Sequence, residues 1–140
     1  MAETRPIKVL IIEEDRETRR LMRSALEAGG CSVAEAARGE IGLELAKRFG
    51  PALIVLDLAL SDLEGHVVLQ ELKREVLTAD VPVIVLSDIG DLHRNIPSHL
   101  AAARLVKPIP AEQLLAAVRR AVEAHHQQQP LDGWIAPHET

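Results

Sequence analysis

The sequence predicts a doubly wound α/β domain, with a five-stranded parallel sheet and helices on both faces. Three observations carry this. Short aliphatic runs alternate five times with segments of helical periodicity. The runs are apolar throughout rather than every second residue, as strands buried on both faces are. Polar residues follow them directly: Glu13-Glu14 after the first, Asp57 after the third, Ser87 after the fourth and Lys107 after the fifth. In open parallel sheets the functional crevice lies at the carboxyl ends of the strands, so these groups are expected on one edge.

Val9-Leu10-Ile11-Ile12 reads as a fully buried strand that stops at an acidic edge. Leu21, Met22, Ala25 and Leu26 recur at helical spacing from Arg16 to Ala28, and Gly29-Gly30 supplies the stop. Cys31 to Ala36 is a weaker strand. Ile41, Leu43, Leu45, Ala46 and Phe49 mark a second helix, closed by Gly50-Pro51. Ala52 to Leu56 is the clearest strand and delivers Asp57 at its end. A loop to Gly65 precedes a helix carrying Val67, Val68, Leu69, Leu72 and Val76. Pro82 breaks the chain before the strand Val83 to Leu86. Gly90 and Pro97 interrupt Asp88 to Ala103, which predicts a short or irregular helix. Leu105-Val106 is a brief strand, and Leu114, Leu115, Val118, Ala121 and Val122 form a last amphipathic helix.

With 140 residues there is room for one domain, expected over residues 7–124, and a polar tail over 125–140. The 47% hydrophobic content is almost entirely aliphatic, with Phe49 and Trp134 the only aromatic residues. Sixteen basic against 21 acidic residues give a net charge of −5, which lacks the basic footprint of a nucleic-acid binder. The opening residues lack the apolar core of a signal peptide, and no apolar run is long enough to cross a bilayer. A soluble, cytoplasmic protein is expected, and the single Cys31 is compatible with a reducing compartment.

Acids at the ends of the first and third strands place carboxylates side by side, which is costly unless a cation sits among them. Oxygen ligands in a small site favour Mg²⁺ or Mn²⁺. A carboxylate beside such an ion, with Lys107 and the Ser87 hydroxyl opposite, suits the receipt of a phosphoryl group. The cations neutralise the equatorial oxygens while Asp57 attacks in line.

The run Lys8 to Asp15, Asp57-Leu58 with Gly65 eight residues past Asp57, Ser87 after an aliphatic strand, and Lys107-Pro108 together resemble the response-regulator receiver family. The resemblance covers roughly Ile7 to Ala124. It implies the flavodoxin-like strand order 2-1-3-4-5 and a switch in two-component signalling. It also implies Asp57 as phosphoacceptor, with Ser87 and Lys107 each on a phosphoryl oxygen. Glu13, Glu14, Asp57 and the Ala59 carbonyl then occupy the Mg²⁺-binding positions. The implied partners are a histidine kinase or phosphotransfer protein and a downstream protein target. No output domain follows, so a stand-alone receiver with no direct nucleic-acid or membrane contact, and no enzyme activity of its own, is expected.

The sequence also departs from the family's usual residues. Glu14 stands where Asp is common, Ser61 where Pro is, Glu64 where Asp is, Asp88 where a small residue is, and Arg104 where an aromatic switch residue is. Taking Glu14-Asp15 as the acid pair restores an Asp but breaks the match at Lys8 and at Arg19-Arg20-Leu21. The longer arm of Glu14 predicts weaker Mg²⁺ binding than an aspartate pair gives, Mn²⁺ being better tolerated, and tighter binding in Glu14→Asp. Signalling is expected through the Asp88 to Ala103 segment and the last helix, without a rotating aromatic.

Taken singly, each residue has a plainer reading. A strand-end acid caps turns, serines are common in turns, and Glu13-Glu14 can be an acidic rim without tight metal binding. His125-His126 reads as solvated tail and Cys31 as a small core residue. The competing function is a pseudo-receiver, an interaction module that needs no phosphate, which Glu14, Asp88 and Arg104 favour. A dehalogenase-type hydrolase also uses a strand-end Asp, but no second catalytic Asp stands just beyond Asp57.

Overall fold

A computed structural model describes residues 5–91, 96 and 99–128. Five parallel strands, β1 (Lys8–Ile12), β2 (Ser32–Ala36), β3 (Leu53–Asp57), β4 (Val83–Ser87) and β5 (Ala103–Val106), lie in the order β2-β1-β3-β4-β5. The helices are α1 (Arg16–Ala28), α2 (Gly39–Phe49), α3 (Gly65–Arg74) and α4 (Ala111–Gln128), and a single 3₁₀ turn spans Ile89–Asp91. This is the doubly wound arrangement that the alternation predicts, in the flavodoxin-like order that the family resemblance implies.

The period-two geometry of a strand divides its side chains between two cores. Val9, Ile11, Leu53, Val55, Ile84 and Leu86 meet Met22 and Leu26 of α1 and Leu114, Val118 and Val122 of α4. Leu10, Ile12, Ile54, Leu56, Val83 and Val85 meet Ala46 of α2 and Val68, Leu69 and Leu72 of α3. Both faces of the central strands are thus apolar, which is why these runs show no alternation. Cys31 lies in the first of these cores, where burial pushes its thiol above the usual range.

One expectation is corrected. The third helix ends at Arg74, and Val76 lies beyond it, 85% exposed. Glu75 turns to an extended conformation, and the Thr78 hydroxyl donates to the Leu72 carbonyl at 2.6 Å, satisfying a group the helix leaves open. At the other end of the chain, the last helix continues through His125 and His126 to Gln128. Of the short or irregular helix expected over Asp88 to Ala103, the described residues show the 3₁₀ turn Ile89–Asp91; residues 92–95 and 97–98 lie outside the described residues, as does Trp134.

The start of α2 has no cap from its own preceding residue, Arg38. Asp62, in the loop after β3, supplies one: its carboxylate accepts from Gly39 N at 2.9 Å and Glu40 N at 3.1 Å. Burial acts to raise the Asp62 carboxyl, but the backbone N–H groups of Gly39, Glu40 and Leu63 outweigh it and hold it below the usual range. Asp62→Ala is expected to lower stability by about 0.5–1 kcal/mol, the lower part of the capping range because the group is exposed. Urea denaturation of the two proteins measures this, and an unchanged midpoint would remove the cap from the account.

Candidate functional site

Four strands deliver the site. The Glu13 amide donates to the Ala36 carbonyl at 3.0 Å, extending the β1–β2 ladder by one residue and turning its side chain inward. Asp57 and Ser87 are the last residues of β3 and β4. The Lys107 amide donates to the Ser87 carbonyl at 2.9 Å, so β5 carries Lys107 alongside Ser87. Glu13, Asp57 and Ser87 are 1%, 3% and 0% exposed, which places two acids and a hydroxyl out of water at one sheet edge.

Lys107 is the cation between the acids. Its Nζ lies 2.7 Å from Glu13 Oε1 and 3.1 Å from Asp57 Oδ2. Glu13 Oε1 is buried, and the Lys107 ammonium is the charge that compensates it. Burial pushes the Glu13 carboxyl up to about 7; Lys107 opposes that shift and Asp57 adds to it. Burial works to lower the Lys107 ammonium, but Glu13 and Asp57 outweigh it and hold it above its usual range. The other Asp57 oxygen, Oδ1, accepts from the Ala59 amide at 3.2 Å. One ammonium therefore faces two carboxylates, which leaves the pocket short of positive charge.

Glu14 does not join them. It is exposed, and its Oε1 accepts from the Ser61 amide at 2.7 Å. A proline at position 61 would offer no such donor. Asp15 faces elsewhere again: it caps α1, accepting from Thr18 N at 2.9 Å and the Thr18 hydroxyl at 2.6 Å. Of the consecutive acids Glu13, Glu14 and Asp15, only the first points at Asp57, so the shifted pairing Glu14-Asp15 is set aside.

Sequence reasoning missed a residue that holds the acidic turn. Arg19 Nη1 donates to the carbonyls of Glu13 at 2.8 Å and Glu14 at 3.2 Å, while its Nε pairs with Glu35 of β2 at 2.7 Å. The only signal in the sequence was an arginine one turn into α1. Arg104 of β5 donates from Nε to Ser87 Oγ at 3.3 Å.

Buried acid, hydroxyl and lysine thus share one edge of a 2-1-3-4-5 parallel sheet, and residues 9–119 match the model of the response regulator receiver domain. The chain belongs to the response regulator receiver family. It is 38% identical over 114 residues to the DNA-binding dual master transcriptional regulator RpaA of Synechocystis sp., covering 80% of this chain and 47% of that protein. To the transcriptional regulatory protein HprR of Escherichia coli it is 32% identical over 120 residues, covering 86% and 53%. The receiver spans about half the length of these curated relatives. Among solved structures, a sensor protein from Polaromonas sp. is 30% identical with a TM-score of 0.79, covering 87% of this chain and 99% of that one. A response regulator receiver domain protein from Clostridium thermocellum gives 25% and 0.80, covering 88% and 99%.

Receiver domains generally bind Mg²⁺ at this acidic edge. The residues of this receiver fit such an ion in part. Glu13 and Asp57 bring buried carboxylates together, and Glu13 Oε1, ion-paired with Lys107, is a hard oxygen suited to Mg²⁺. Glu14 is held on Ser61, and no group of three His, Cys, Asp or Glu residues among the described residues is arranged to hold a metal. Among the described residues, no helix is long and apolar enough to cross a membrane.

Proposed function

We propose that this receiver accepts a phosphoryl group on Asp57 from a histidine kinase or phosphotransfer protein and signals by altered protein contacts. The observation that carries this reading is the Asp57 carboxylate, buried yet at the strand edge, with the Lys107 ammonium 3.1 Å from its Oδ2. An Asp57 oxygen attacks phosphorus, forming the acyl-phosphate O–P bond, while the P–N bond of the phosphohistidine breaks. The departing imidazole keeps the bonding pair and is protonated from solvent. Lys107 neutralises one phosphoryl oxygen and the Ser87 hydroxyl donates to another. Mg²⁺, when held by Glu13, Asp57 and the Ala59 carbonyl, would neutralise further phosphoryl charge.

Names of the relatives, transcriptional regulators both, support a role in signal transduction. Direct contact with nucleic acid is no part of the proposal for this acidic chain, net charge −5, and the cytoplasm is its proposed compartment. A second reading, the phosphate-independent module, is favoured by one observation, the withdrawal of Glu14 onto the Ser61 amide. The same contact supports weak Mg²⁺ binding.

Incubation with acetyl phosphate and Mg²⁺, followed by intact mass, separates the two. A single added phosphoryl group is expected. A chain that stays unlabelled, or takes up several groups, would favour the module.

A further inference from the structure

We infer that Arg104 is a positioning residue for the phosphoryl group, because its Nε–H, 3.3 Å from Ser87 Oγ, orients that buried hydroxyl as a donor toward Asp57. This rests on the reading of Asp57 as phosphoacceptor.

The contact follows from register. Arg104 pairs with Val85 and Val106 with Ser87, so Arg104 sits diagonally across from Ser87 on adjacent strands. Side chains at alternate positions share a face, and a diagonal neighbour is within reach of a long side chain. Asp57 and Ser87 are the last residues of the neighbouring strands β3 and β4, so both stand at the carboxyl edge where strand alternation ends. Ser87 therefore lies between the guanidinium and the phosphoacceptor strand.

The chemistry follows from the donor inventory. A hydroxyl has one O–H donor and two lone pairs, and a guanidinium only donates. Arg104 occupies a Ser87 lone pair, so the Ser87 O–H cannot point back at it. Accepting from a cation also polarises the hydroxyl and makes its own proton a stronger donor. Ser87 is 0% exposed, so no water competes to turn the rotor. A donor already aimed where phosphoryl charge collects needs no reorganisation when the group arrives.

The experiment is a double-mutant cycle on the full chain with acetyl phosphate and Mg²⁺, labelling rates being read by intact mass. Arg104→Met, which keeps length but has no N–H, is expected to slow labelling about tenfold. That is less than the 10²–10³ lost when a direct oxyanion donor is removed. Arg104→Lys keeps the charge without the planar donor and should fall between. In Ser87→Ala, adding Arg104→Met should slow labelling no further, because no hydroxyl is left to orient. Packing of β5 alone would instead give effects that multiply. Urea midpoints identify any variant that fails to fold; if Arg104→Met does, Arg104→Lys takes its place in the cycle. Arg104→Met within about twofold of the natural rate, or multiplying effects in the cycle, overturns the positioning role while leaving Asp57 in place. A natural chain that takes no label overturns both.

Discussion

Asp57→Asn is expected to reduce acyl-phosphate labelling to background while leaving the domain folded. The carboxamide is neutral and lacks an anionic oxygen to attack phosphorus, so the covalent step has no nucleophile. Its shape is nearly that of the carboxylate, and its single oxygen can keep one of the two contacts Asp57 makes, to Lys107 or to the Ala59 amide. Lys107 retains its ion pair with Glu13 at 2.7 Å, so its charge stays compensated in the variant. Removing Asp57 also removes one of the groups that push the Glu13 carboxyl upward, which offsets part of the lost pairing. Intact mass reads the labelling, and a urea titration reads the fold. Unchanged uptake in a folded Asp57→Asn protein would move the phosphoacceptor elsewhere and with it the whole assignment of the site.

The second large effect is expected at Gly65, the first residue of α3. A Cβ built there would lie 2.3 Å from Leu58 Cα and 2.8 Å from the Asp57 carbonyl oxygen. Both are backbone atoms, so no side chain can swing aside. Either α3 lifts from the sheet or the Asp57–Leu58 segment shifts. The Gly65 amide also donates to the Leu58 carbonyl at 3.0 Å, which ties the helix start to the same backbone. Gly65→Ala is expected to cost about 3 kcal/mol, the upper end for overpacking a rigid site. Labelling should slow as well, because the backbone that must move carries the phosphoacceptor. Gly90→Ala is the control: among the described residues no atom lies within 4 Å of its Cβ position, and a change inside about 0.5 kcal/mol is expected. Urea midpoints for both variants decide it, and equal stability of Gly65→Ala and the natural chain would refute the close-approach account.

The architecture was legible because burial on two faces leaves a mark that one face does not. Runs such as Val9 to Ile12 and Ala52 to Leu56 suit strands buried on both faces, and their alternation with helices points to a parallel sheet. Once they are strands, their ends fall on one edge, and Glu13, Asp57, Ser87 and Lys107 come together from positions spread over most of the chain. Gly65 was visible as a spacing, but the close backbone approach behind it was not. The end of α3 was misplaced because apolar Val76 kept the helical rhythm past the point where Thr78 closes the helix.

By itself, then, the sequence determined the strands, their shared edge and the residue types that edge presents. Tertiary structure decided where each side chain points and which charges meet. Periodicity gives a direction only inside a strand or helix; Glu14 stands one residue past the inward-turned Glu13, and its direction is set by an amide 47 positions away. Asp62 caps a helix that starts 23 residues before it, and Arg104 reaches Ser87 across a strand pair whose register no local pattern records. That Lys107 stands near the acids followed from the strand ends; that its ammonium reaches both Glu13 and Asp57 was decided by the packed strands. Distances of a few ångströms determine such energies, and they exist only after the strands have been laid side by side.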